Sequence, residues 1–310
     1  MPSDKLPEND RMLEHEIIQQ LRVPPGEKIR LKDYDSGWKQ TEELRLLGKD
    51  VVKATAQAYL EKTIAELAEA QELLYADNTY SVLIILQAMD AAGKDGTIKH
   101  VMSGVNPQGC HVVSFKKPSV EELDHNFLWR YARSLPARGR IGIFNRSYYE
   151  DVLVVKVHPE ILELGRLPPG KRGKSFWQDR YDDINAFEQH LIRNGTIILK
   201  FFLNVSRKEQ KRRLLERLEN PAKNWKFSAA DLAERAYWDQ YMEAYEDAIN
   251  ATSTEWAPWH IIPADYKWGT RTLVAGILAH AIRRLDLKFP EVSDEQKQAL
   301  HKAKKELEQE

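Results

Sequence analysis

The stretch QAMDAAGKDGT (87–97) gathers a lysine, two glycines and two acids in a form that could grip phosphate. Small residues let backbone amides approach phosphate oxygens, and the start of a following helix adds positive potential. Lys94 supplies a point charge. The common phosphate-loop spacing is G-x-x-x-x-G-K-S/T. Here Gly93 and Lys94 are in register, while Ala88 stands at the first glycine and Asp95 at the hydroxyl position. The expected phosphate-binding set is Ala91, Ala92, Gly93, Lys94, Asp95, Gly96 and Thr97. An ordinary strand-to-helix turn would also account for this spacing. Asp90 weighs against it. Four residues before the lysine, its carboxylate would repel a phosphate unless a cation lay between them, so Asp90 is expected as a ligand of Mg²⁺ or as an aid to the attacking phosphate.

A second candidate is IGIFNRSYYED (141–151), an apolar run followed by Asn145 and Arg146. Phosphate-loop enzymes carry an acid at the carboxyl end of a second strand, near the metal. Asn145 holds that place here. Ser147 and Glu150 have the S-x-x-E spacing of a capping box, which would start a helix without catalytic work. Basic residues crowd the connections around these runs: Lys99, His100, Lys116, Lys117, Arg130, Arg133, Arg138 and Arg140, then Arg207 to Arg217, Lys223 and Lys226. Charge runs are commonly solvated helix faces. Basic side chains beyond the carboxyl ends of parallel strands, however, face a ligand crevice. An arginine-rich helix after a late strand is also where phosphotransferases carry a closing lid.

These groups need a frame. Residues 81–86 form a short continuous apolar run, the mark of a strand buried on both faces. Similar runs lie at 111–115, 141–144, 197–203 and 259–262. Helical patterns lie between them, at 121–135, 177–193, 208–218 and 231–250, and an amphipathic one precedes them at 60–74. Strands alternating with helices predict an α/β fold, a doubly wound parallel sheet with a helical lid at about 206–230. Residues 1–57 read as an N-terminal extension packed on the core, 58–290 as the core, and 291–310 as a charged tail.

Composition bounds the rest. In 310 residues, 46 Lys and Arg face 47 Asp and Glu, a net charge of −1, which argues against a histone-like nucleic-acid binder. No apolar run approaches the length of a spanning helix, so no membrane partner is expected. The start, MPSDKLPENDRM, lacks a secretory pattern, and the single Cys110 excludes internal disulfides. The expectation is a cytoplasmic globular protein, assembled as a homo-oligomer.

Four stretches resemble one family in the same order: LQAMDAAGKDGTIKHVMSGVNPQGC (86–110), LWRYARSLPARGRIGIFNRSYYEDVLVVKVHP (128–159), ILKFFLNVSRKEQKRRLLERLENPAKNWKF (198–227) and STEWAPWHIIPADYKW (253–268). They look like the family 2 polyphosphate kinases, over roughly residues 20–290. The resemblance implies a phosphate-loop kinase core with a helical lid. It implies phosphoryl transfer between inorganic polyphosphate and a nucleotide, with Mg²⁺ or alternatively Mn²⁺. Carried over by position, Asp90 and Lys94 match the loop acid and lysine, Gly93 and Gly96 its glycines, Arg146 the arginine after the second strand, and Arg213 the lid arginine. Most members have FDRS where this chain has FNRS (144–147), and with AMDAAGKDG and YYEDVLVV that resembles the third class, which accepts nucleoside monophosphates as well as diphosphates. The expected catalytic set is therefore Asp90, Lys94, Asn145, Arg146 and Arg213. A polyphosphate channel is expected at Lys99, His100, Arg130, Arg133 and Arg138.

The expected reaction is AMP to ADP and ADP to ATP, with guanine nucleotides as further acceptors. Two rivals stay open: an ATP-donor kinase of the same fold, and a non-catalytic polyanion-binding protein. The second gains nothing from an acid in the loop.

Overall fold

The structure, a computed structural model, describes residues 16–38, 42–165 and 167–310. The first twelve residues read above as non-secretory, and the other residues of the extension at 1–15 and 39–41, lie outside these.

Five strands build one sheet: β1 (Ser81–Gln87), β2 (Cys110–Ser114), β3 (Ile141–Asn145), β4 (Thr196–Asn204) and β5 (Trp259–Pro263). They are all parallel, in the order β2-β3-β1-β4-β5. Every residue of β1, β3 and β5 is buried, which requires cover on both faces and explains the lack of alternation in their sequences. β2 departs from the expectation of a strand buried on both faces. It is an edge strand, with His111, Val112 and Ser114 exposed.

The principal helices are α1 (Lys49–Asp77), α2 (Lys94–Val101), α3 (Lys174–Arg193), α4 (Arg207–Glu219), α5 (Ala229–Ala236), α6 (Trp238–Thr252), α7 (Lys267–Arg283) and α8 (Asp294–Leu307). α7 packs on α1 and α2, while α3 packs on β4 and α6. α1 runs through the expected boundary at 57/58. The described part of the extension is tied to the core, with Val23 N donating to Trp259 O at 2.8 Å and Leu31 N to Glu246 Oε2 at 2.8 Å. α8 is exposed along its whole length.

Two expected helices are each broken. The pattern at 121–135 becomes Val120–Leu123 and Trp129–Ala132, because Asp124 closes the first and the Asn126 side chain accepts from Leu128 N at 3.0 Å between them. The pattern at 231–250 divides at Tyr237 into α5 and α6. Among the described residues no helix is long and apolar enough to cross a membrane.

β1 has β3 on one side and β4 on the other, so the connections leaving its carboxyl end diverge. That is the switch point at which open α/β sheets hold ligands.

Candidate active site

β1 ends in a loop that is bent by two left-handed residues, Ala91 (φ 60°) and Gly93 (φ 112°), before α2 begins at Lys94. A non-glycine residue at positive φ is strained and persists only where its surroundings hold it. Here the holding comes from α4. Gln210 Nε2 donates to Asp90 O at 3.0 Å, and Arg213 Nη1 donates to Ala91 O at 3.1 Å and Ala92 O at 2.5 Å. With these carbonyls anchored, the first amides of α2, which have no partner within a helix start, are the donors left for an anion.

Arg213 is spent in doing this. Its remaining donors go to Glu209 Oε1 at 2.7 Å, Ala264 O at 2.6 Å and Asp265 O at 3.2 Å, and its side chain is 5% exposed. The expected lid arginine therefore acts in this structure as a strut between α4, the phosphate loop and the end of β5. It offers no donor to a substrate here.

Lys94 Nζ donates to Ala88 O at 2.7 Å, beneath the loop. Burial, and next the positive Arg146, press its pKa down to about 8, against the pull of Asp90 and Glu150. Arg146 follows β3 with φ 66°, its amide continuing the sheet to Leu86 O at 3.1 Å. Its guanidinium donates to Asp90 Oδ1 at 2.8 Å and stands 3.6 Å from Glu150 Oε2. Glu150 raises the pKa of Arg146 most, so its charge is secure. Glu150 itself is raised by burial.

The capping box does not form. Ser147 Oγ accepts from Tyr149 N at 3.3 Å, while the Glu150 carboxylate is engaged by Arg146 and, at 2.9 Å, by the Gln87 amide in the orientation that satisfies both of its ends. Glu150 thus holds Arg146 and does not cap a helix. Asn145 Nδ2 donates to Asp95 Oδ1 at 2.7 Å, which ties the end of β3 to the start of α2.

Asp90, Lys94, Asn145, Arg146 and Arg213 thus meet, with the whole loop Ala91 to Thr97, around one cavity of about 680 Å³. The expected channel does not come with them. Arg138 precedes β3 and donates to Thr79 O at 3.1 Å, at the amino edge of the sheet, opposite the site. Arg133 lies over the Trp129 ring and 3.8 Å from Glu121. Arg130 is held by Tyr131 Oη at 2.6 Å and Lys116 O at 2.9 Å, and lines a neighbouring cavity of about 500 Å³ that shares Arg146, Lys116 and Lys117 with the first. Lys99 is exposed on α2, and His100 Nδ1 bonds back to Gly96 O at 2.8 Å.

The cavity's other cations are Lys116, Lys117, Arg217, Lys223, Lys226, Lys267 and Arg271. Lys267 and Arg271 begin α7, just after β5, and among the described residues neither has a salt-bridge partner. Burial lowers Lys267, and nearby Arg213 lowers it further. An anion entering the cavity would relieve that repulsion. The signal of Lys267 and Arg271 in the sequence is ADYKWGTR (264–271), basic residues directly after a strand end, which face the crevice.

A metal can be tested against these groups. Among the described residues no three His, Cys, Asp or Glu side chains form a ligand cluster. Mg²⁺ at a phosphate site needs only one or two carboxylates, with phosphates and water supplying the rest. Asp90, 24% exposed at the cavity wall, fits that requirement.

The chain matches the polyphosphate kinase 2 family over residues 50–290. It is 49% identical over 294 residues to an ADP-polyphosphate phosphotransferase of Rhodopseudomonas palustris, covering 93% of this chain and 98% of that one. It is 45% identical over 274 residues to an AMP/ADP-polyphosphate phosphotransferase of Meiothermus ruber, covering 88% and 96%. The crystal structure of polyphosphate kinase 2 from Arthrobacter aurescens TC1 superposes with a TM-score of 0.80 at 41% identity, covering 93% of this chain and 95% of the other. The phosphate loop braced by α4 and the arginine closing β3 both fall inside this shared span, and the chain belongs to the polyphosphate kinase 2 family.

Proposed function

We propose that this protein transfers phosphoryl groups from inorganic polyphosphate to AMP and ADP. The observation that carries the reading is the meeting, in one cavity, of an anion-binding loop with two groups of cations on separate walls: Lys116 and Lys117 beyond β2, Lys267 and Arg271 beyond β5. Two polyanions brought end to end need charge on both sides of the reacting phosphorus. Identities of 45–49% to polyphosphate phosphotransferases support the donor and the acceptors.

A phosphate oxygen of the acceptor attacks the terminal phosphorus of the chain. A P–O bond forms to the nucleotide, and the bridging P–O bond breaks with its electron pair going to the shortened chain. The attacking oxygen is already ionised near neutral pH, so no general base is required. Catalysis is then positioning and charge stabilisation. The α2 amides and Lys94 grip phosphate oxygens, and Arg146, fixed between Asp90 and Glu150, faces the migrating group. Asp90 is the residue that would hold Mg²⁺, which supplies further neutralisation at the phosphates. Lys267 and Arg271 hold the chain behind the reacting end. We place the protein in the cytoplasm, where its nucleotides are.

The test is chromatography of AMP, ADP and ATP after incubation with polyphosphate and Mg²⁺, without added ATP. ADP and then ATP should form. A requirement for ATP as donor would contradict the reading.

A further inference from the structure

Trp225 lies on the short 3-10 helical turn segment Pro221–Lys226 that follows α4, at the rim of the same cavity. The turn is rigidly made. Asn220 Oδ1 accepts from Ala222 N at 3.0 Å, and Asn224 Nδ2 donates to Arg217 O and Leu218 O at 2.8 Å each. The indole N–H donates to Ala222 O at 3.1 Å, so the ring's polar edge is satisfied inside the turn. Most of its apolar surface meets water, for Trp225 is 78% exposed and Lys226 lies over the ring. Leaving a large aromatic in water forfeits the stabilisation its burial would give, and neither the core nor its own hydrogen bond requires that placement.

Two cations share the turn. Lys226 Nζ stands 4.9 Å from the ring centroid, and Lys223, paired with Glu216, lines the cavity beside it. A flat π surface flanked by positive charge matches a nucleoside phosphate, whose base can stack while its phosphates meet the cations. Polyphosphate has no π face, so the ring offers it nothing.

We propose that Trp225 is the stacking platform for the acceptor's nucleobase, and that the turn carrying it sets base tolerance. Stacking reads the π face and not the hydrogen-bonding edge, so adenine and guanine are held alike. The inference rests on the phosphate chain lying along Lys267 and Arg271. A competing role is purely mechanical: the ring packs on the core when the lid closes, whichever substrate is bound.

The experiment measures dissociation constants for ADP, GDP and polyphosphate separately, by calorimetry, on wild type, Trp225→Ala, Trp225→Phe and Arg271→Ala. An exposed side chain can be removed without opening the core. Trp225→Ala should weaken ADP and GDP at least about fivefold while polyphosphate changes less than about twofold, and Trp225→Phe should restore most of the loss. Unchanged nucleotide affinity overturns the proposal, and so does equal weakening of nucleotide and polyphosphate. Arg271→Ala should weaken polyphosphate and spare ADP. If it weakens ADP instead, the placement of the chain fails, and the nucleotide ratio for Trp225→Ala still decides the role of the ring.

Discussion

Asn145 donates to Asp95 at 2.7 Å and reaches Ser114 Oγ at 3.4 Å, so its amide pins the acid at the start of α2. Asparagine keeps the shape of aspartate and removes a charge beside the reacting phosphates. Asn145→Asp would press two carboxylates together, a repulsion of about 5 kcal/mol at an effective dielectric near 20. A bound cation would relieve it. ADP has an additional phosphate to share such a cation and AMP does not, so the AMP reaction should fall more than the ADP reaction. The measurement is kcat/KM for AMP over that for ADP. A ratio unchanged within about threefold would mean that acceptor choice is set elsewhere. Lys94 gives a second expectation. Its pKa is pressed down to about 8, chiefly by burial, so the free enzyme loses this charge as pH rises through 8. The profile of kcat/KM should fall above about pH 8, and Lys94→Arg should push that fall upward. A profile identical in the two proteins would remove Lys94 from phosphate binding.

At the scale of elements, α4 holds the loop in shape, and Arg213 is its principal contact. Arg213→Lys cannot reproduce the fork of donors and leaves buried carbonyls unpaired. A cost of about 3 kcal/mol is expected, visible as a lower Tm together with weakened binding of both substrates. Loss of activity at an unchanged Tm would instead make Arg213 a group that acts on substrate. The sequence placed this arginine on the right helix, but spacing cannot tell which acceptors surround a guanidinium. Four strands were legible because burial on both faces leaves an uninterrupted apolar run. β2 was less so, since an edge strand mixes His111 and Ser114 with its valines. The pattern at 121–135 looks continuous in the sequence because an apolar period survives the Asn126 turn that breaks the helix. The sequence offers Glu150 as a cap partner because S-x-x-E is a local pattern, whereas its engagement by Arg146 depends on a left-handed residue that no periodicity reveals.

Over the whole molecule, a net charge of −1 conceals a cavity with cations on several walls. Which basic residues reach it was legible only in part, because side of the sheet decides. Residues before a strand, such as Arg138, fall at the amino edge, and those after one, such as Lys267, fall at the site. A chain of phosphates held by many such cations releases counterions on binding. Rising salt should therefore weaken polyphosphate more steeply than ADP, and Lys267→Ala with Arg271→Ala should flatten that slope. Parallel slopes at constant free Mg²⁺ would argue against an extended track. On the proposed function this loop, in this cavity, moves phosphate from polyphosphate to a nucleotide. The most direct measurement is the rate of ADP formation from AMP and polyphosphate, without ATP, in wild type and in Asp90→Asn and Lys94→Ala proteins of unchanged fold. Removing a group aimed at transition-state charge costs roughly 3 kcal/mol, so each variant should fall about a hundredfold. Either variant keeping more than about a tenth of the wild-type rate would contradict the account.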